Sequence, residues 1–138
     1  MGKRRQAREF ALQALYLSET GKMSITEALA IVTMTSSLDE TAWKFVEELA
    51  LGTESNKTSL DLHIQQIAKN WELARMASVD RNLLRLASYE LRYCKETPIN
   101  VIIDEALEIA KVYSSQDSSK FINGILDKLK SIRVVPAA

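Results

Sequence analysis

A chain of 138 residues, 46% hydrophobic and 26% charged, is long enough for one domain with a real core and is neither disordered nor repetitive in composition. Eighteen basic residues balance eighteen acidic ones, which excludes a protein that coats nucleic acid through its whole surface and leaves room only for a local patch. The single cysteine, Cys94, excludes an internal disulfide and fits a reducing cytoplasm, while no apolar run spans a membrane or follows Lys3-Arg4-Arg5 as a signal peptide would require.

In chain order, Lys3 to Leu17 is predicted as the first helix. Ala7, Phe10, Ala11, Ala14 and Leu15 recur at i, i+3, i+4, i+7 and i+8 and form a core face. Arg5, Glu9, Leu12 and Tyr16 line the other side, with Arg8 beside them. Exposed cations leading to an exposed ring suit phosphates and a stacked base. A solvated amphipathic face with a snorkelling Tyr explains the same pattern. Ser24-Ile25-Thr26-Glu27 reads as a capping box opening a short helix to about Ile31, and Thr33 to Ser37 as a loop. Asp39 caps a third helix whose Ala42, Phe45, Val46, Leu49 and Ala50 face inward. A turn is expected at Asn56-Lys57-Thr58-Ser59, followed by a fourth helix with Leu60, Ile64, Ile67, Ala68 and Trp71 on its core face. His63, the only histidine, has no Cys or second His with which to share a metal.

Trp71 to Ser78 connects to the stretch Val79–Tyr93, apolar over well over half its circumference. Such a helix must be surrounded by others, so it is predicted as the centre of an all-helical bundle. Arg81, Arg85, Ser88 and Arg92 share its narrow polar stripe, and Asp80 suits its first turn. Glu90 alone breaks the pattern by falling inside the apolar arc, where a carboxylate needs partners. Pro98 ends the connection, and Thr97 or Asn100 is expected to cap a helix facing inward through Ile102, Ala106, Ile109, Ala110 and Tyr113. Ser115 or Asp117 caps the last helix, with Phe121, Ile122, Ile125, Leu126, Leu129 and Ile132 inward. Gly124 in mid-helix suggests close packing against a neighbour, and Val134 to Ala138 should fray. The sum is seven helices in one domain, residues 1–138, with no strand alternation.

The familiar catalytic patterns are missing: no Gly-rich phosphate loop, GxSxG, HExxH or cysteine pair at ligand spacing. Neither an enzyme nor a metal or cofactor is expected. On composition and pattern alone, a protein-only helical adaptor or homodimer competes with an RNA-binding adaptor.

Three segments together resemble the NusB family of bacterial transcription antitermination factors. They are Arg4-Arg5-Gln6-Ala7-Arg8-Glu9-Phe10-Ala11-Leu12-Gln13-Ala14-Leu15-Tyr16, then Asp80-Arg81-Asn82-Leu83-Leu84-Arg85-Leu86-Ala87-Ser88-Tyr89-Glu90-Leu91, and a third from Pro98 through Val101-Ile102-Ile103-Asp104-Glu105-Ala106 to Asp117-Ser118-Ser119-Lys120-Phe121-Ile122-Asn123-Gly124-Ile125-Leu126-Asp127. The last is the most specific. The resemblance implies an all-α fold of two three-helix bundles plus one helix. It implies binding of boxA RNA together with NusE, a ribosomal protein, in the cytoplasm and within the transcription elongation complex. By position, Arg4, Arg5, Arg8, Tyr16, Asp117, Lys120 and Phe121 fall on the RNA side. Asp80 falls where the family contacts NusE, expected to be a separate surface. Gln6 departs from the pattern, replacing a cation in a run that is often more densely basic. The fold also occurs fused to RNA cytosine methyltransferases, for whose catalytic domain 138 residues leave no room.

Overall fold

A computed structural model describes residues 2–134 and divides the chain into two compact units, Met1–Asn56 and Lys57–Ala138. Among the described residues there are seven α-helices and no strand. This is the all-α architecture expected.

The first unit is a three-helix bundle of α1 (Lys3–Thr20), α2 (Ile25–Thr33) and α3 (Glu40–Ser55), in which α1 packs against both others. Its core joins Ala7, Ala11, Leu12, Ala14 and Leu15 of α1 to Ala28, Leu29 and Val32 of α2 and Val46, Leu49 and Ala50 of α3. Three alanines on one face leave α1 narrow where its neighbours meet it. The capping box forms: Ser24 Oγ accepts from the Glu27 N–H, and Glu27 Oε1 accepts from the Ser24 N–H. Those bonds hold the Glu27 carboxyl below its usual range. Asp39 caps α3 as expected, its Oδ1 accepting from the Ala42 N–H at 2.8 Å. Between α1 and α2 the chain turns at Gly21, where an added Cβ would lie 2.8 Å from the Leu17 carbonyl oxygen.

The second unit is built around α5 (Ser78–Tyr93), which packs against α4 (Lys57–Ile67), α6 (Ile99–Tyr113), α7 (Gln116–Leu129) and the 3-10 turn Lys130–Val134. The residues from Asn82 to Ser88 are all buried, together with Glu90 and Leu91. Glu90 is enclosed as its place in the apolar arc requires. The polar stripe, however, is largely enclosed, with Arg85 and Ser88 buried and Arg81 and Arg92 half-buried. Arg85 is only 7% exposed and closes a two-pronged ion pair on Asp61 of α4, Nε to Oδ1 at 2.7 Å and Nη2 to Oδ2 at 3.0 Å. A planar guanidinium can be enclosed in this way because its fork matches a carboxylate. Arg133 closes the other end of α5. Its guanidinium donates to the carbonyls of Leu91 at 2.7 Å, Glu90 at 3.1 Å, Cys94 at 2.9 Å and Thr97 at 2.6 Å. These include acceptors that a helix end leaves without partners.

Several local expectations are corrected. The turn at Asn56–Ser59 is confined to Asn56, because α4 already begins at Lys57. That helix stops at Ile67, so Trp71 lies beyond it and is 58% exposed instead of buried. Pro98 itself stands at the N-cap of α6 with no side-chain cap from Thr97 or Asn100. Tyr113, expected inside, is 38% exposed. Ser115, not Asp117, caps α7 by accepting from the Ser118 N–H at 3.0 Å. Gly124 is exposed, and a Cβ built there meets nothing within 4 Å, so no close neighbour explains it. Of the tail, Val134 ends the last 3-10 turn, and residues 135–138 lie outside those described.

Three outcomes follow from this packing. Gly124→Ala should raise stability by ~1 kcal/mol in thermal or urea unfolding, since it gains helix propensity without a clash; a destabilised variant would contradict the open surface seen there. Arg133→Ala should cost ~2–3 kcal/mol by leaving the carbonyls at the end of α5 without their charged donor. The third concerns acid. Asp39 is held below the ordinary carboxylate range, chiefly by the hydrogen bond from Lys3 and next by the Ala42 N–H. A depressed folded-state pKa stabilises above the unfolded value and loses that contribution as pH falls through the folded one. Asp39→Ala should therefore lower the melting temperature at pH 7, and its gap from the parent should shrink once pH drops below about 4.

Candidate nucleic-acid interface

On the first unit, the basic start of α1 meets the start of α3. Lys3 Nζ donates to Asp39 Oδ2 at 2.5 Å, joining the first residue of α1 to the cap of α3. Arg4 is exposed and its guanidinium lies over the ring of Phe45 of α3, 4.0 Å from the centroid. Arg8 lies 5.7 Å from the same centroid but is only 4% exposed. Its expected place on an open cationic face is thus corrected: the helix period carries it towards α3, where the ring covers it. Leu12, expected on that face, is buried too, at 2%. Arg5 is half-buried. Tyr16 is 41% exposed, and its hydroxyl-bearing ring stands about two turns further along α1 from Arg8.

On the second unit, the turn Ser114–Ser115 delivers the chain into α7 with Asp117 and Lys120 exposed and Phe121 half-buried. Phe121 meets Trp71 edge-on, with ring centroids 5.3 Å apart. Ser118 Oγ donates to Asp80 Oδ2 at 3.0 Å, tying the entrance of α7 to the first turn of α5. Asp80 is consequently 8% exposed, and its Oδ1 is buried with no hydrogen-bond donor among the described residues. Trp71, Met76, Asp80, Asp117, Ser118 and Phe121 together line a hollow of about 410 Å³. Asp80, expected on a surface apart from Asp117 and Phe121, in fact shares one hollow with them.

The connector that carries Trp71 is held by side chains acting as backbone partners. Gln65 Nε2 donates to the Ala68 and Trp71 carbonyls at 2.9 and 2.8 Å, and its Oε1 accepts from the Leu73 N–H at 2.9 Å. Arg81 Nη1 donates to the Met76 carbonyl at 2.6 Å and the Leu73 carbonyl at 3.2 Å. The segment before α5 is thereby shaped without regular secondary structure, and the exposed Trp71 is presented from it.

Two residues here escape a reading of the sequence as cationic face and core. Trp71 fits the helical spacing of α4 only if that helix continues, and α4 stops at Ile67. Phe45 does take an inward position on α3, but at the end of the bundle, where its ring is left to the arginines. Among the described residues, no group of three His, Cys, Asp or Glu side chains is placed to hold a metal ion, and no helix is long and apolar enough to cross a membrane.

Comparison with known proteins bears on what this surface belongs to. A family model described as the NusB family matches residues 5–131. The chain is 49% identical over 128 residues to the transcription antitermination protein NusB of Desulfitobacterium hafniense, covering 91% of this chain and 86% of that one. It is 43% identical over 126 residues to the Heliobacterium modesticaldum protein of the same name, of whose length it spans 61%. Among solved structures, T. maritima NusB superposes with a TM-score of 0.87 at 37% identity, covering 93% of this chain and 90% of that one. The fold is also that of a structure of antitermination factors NusB and NusE in complex with dsRNA, with a TM-score of 0.86 at 23% identity, covering 94% and 96%. With the family model spanning both units and relatives this similar over nearly the whole chain, the protein belongs to the NusB family.

Proposed function

We propose that this chain is an RNA-binding transcription antitermination factor that takes boxA RNA of ribosomal RNA operons together with NusE, acting as one RNA-binding domain within the cytoplasmic elongation complex. The observation that carries this reading is that exposed cations, Lys3, Arg4 and Lys120, and exposed rings, Tyr16 and Trp71, occur together on a protein of zero net charge. Arg4 and Arg5 take phosphates, and Tyr16 stacks on a base. On the second unit Lys120 takes a phosphate and Phe121, extended by Trp71, offers a further stacking face. Single-stranded RNA suits such a surface because its bases are free to leave their neighbours. Arg8, being enclosed, supports Arg4 and the local positive potential and does not reach a phosphate directly. The NusE-binding role of Asp80 is exercised through the hollow that it lines with Asp117, Ser118 and Phe121. Binding of NusE next to Asp117 and Phe121 would join two weak RNA sites into one footprint, which raises affinity without new contacts in either protein. Catalysis has no place in this reading.

The test is a fluorescence-polarisation titration of boxA-like RNA against the parent, Tyr16→Ala and Asp80→Asn, each with and without NusE. Tyr16→Ala should lose ~1–3 kcal/mol of RNA binding in both conditions. Asp80→Asn, nearly the same shape, should keep free RNA binding and lose the enhancement by NusE. A parent protein that self-associates but binds neither RNA nor NusE would replace this reading with the protein-only adaptor or homodimer.

A further inference from the structure

The start of α1 and the start of α3 enclose a small hollow of about 200 Å³ between Lys3, Arg4, Asp39, Thr41 and Phe45. Two cations and one carboxylate face it, and the carboxylate is already engaged by Lys3 and by the Ala42 N–H. Among the described residues Arg4 makes no ion pair, and its interaction is with the ring of Phe45. A guanidinium stacked on a ring keeps its in-plane N–H donors free at the ring's edge, whereas a carboxylate partner would occupy them. The second guanidinium on that ring, Arg8, is enclosed, so the charge behind Arg4 is fixed as well.

We propose that this hollow is a phosphodiester subsite for single-stranded RNA, in which Phe45 is a positioning residue that holds Arg4 as a ready two-pronged phosphate donor, and Asp39 is the internal anion that retains Lys3 until RNA arrives. This rests on the RNA-binding reading above and adds to it two residues with no cationic or stacking role of their own. The ring matters because Arg carries much rotamer freedom on a surface, and a side chain already held in place loses less on binding. Asp39 matters because an exposed ion pair is weak and readily exchanged, so a phosphate can displace the carboxylate from Lys3 at small cost.

The experiment measures affinity of the intact protein for boxA-like RNA in a double-mutant cycle of Arg4→Ala and Phe45→Leu, alongside Arg4→Lys, Phe45→Tyr and Asp39→Ser, with melting temperatures for all. Phe45→Leu and Arg4→Ala should each weaken binding about three- to tenfold, and the double variant should be little worse than either. Phe45→Tyr should restore binding. Arg4→Lys should fall short of the parent despite its charge, because an ammonium has no fork to offer. Asp39→Ser keeps a good helix cap while releasing Lys3, so RNA binding should tighten about twofold. Inorganic phosphate at matched ionic strength should not compete, which separates an RNA backbone subsite from a free-anion site. Additive losses for Arg4 and Phe45, or full activity in Arg4→Lys, would overturn the positioning role. If Phe45→Leu fails to fold, Phe45→Tyr and Arg4→Lys still decide it. A parent that binds no RNA at all would instead remove the functional reading beneath the proposal.

Discussion

The second unit depends on the enclosure of α5. A helix surrounded on nearly every side cannot keep its polar side chains in water, so partners inside matter, although Ser88 Oγ and Arg92 Nε and Nη1 are buried with none among the described residues. Arg85 finds Asp61 on α4, Asp80 finds Ser118 on α7, and Arg133 returns from the C-terminal turn to the carbonyls at its end. Each bond runs to a different element, so together they fix where α4, α7 and the last turn sit around one axis. Apolar burial by Leu83, Leu84, Leu86 and Leu91 supplies the driving force. The polar bonds supply the register. Removing one partner of such a pair leaves a charge enclosed without compensation, which is costlier than never having enclosed it.

The same constraint creates the candidate site. Because Asp80 is drawn to Ser118 at the entrance of α7, the residues that follow Ser118 emerge beside the first turn of α5, and Phe121 meets Trp71. Asp80 Oδ1 is left buried with no donor among the described residues. On the first unit a similar economy holds. Phe45 ends the inward face of α3, and its exposed side is covered by two guanidiniums instead of apolar chain. On a chain with zero net charge, Lys3 and Arg4 are thus held at this end of the bundle by a carboxylate and a ring.

Helix number, the central place of α5, the caps at Ser24 and Asp39 and the enclosure of Glu90 were legible because each rests on local pattern: period, capping chemistry and the width of an apolar arc. The failures share another cause. Arg8 and Arg85 look like surface residues by type, and a facing ring or carboxylate on another helix helps to make their burial tolerable. Trp71 looks like core by type, and only the stop of α4 at Ile67 puts it outside. Gly124 suggested a close neighbour, yet nothing approaches it. Long-range partners decide these cases, and spacing along one helix does not carry them. The likeness of segments to the NusB family implies which residues fall on the RNA side, but not the sharing of one hollow by Asp80, Asp117 and Phe121.

On the proposed reading, a neutral protein binds RNA through a few placed cations and rings, and not through its surface at large. The salt dependence of RNA binding by the parent protein tests this most directly. With three or four phosphates engaged by Lys3, Arg4, Arg5 and Lys120, the log–log slope against salt should be roughly −2 to −3. Stacking should leave a residual affinity at high salt that the cations do not supply. A slope near zero, or one so steep that many more phosphates must be neutralised, would contradict it.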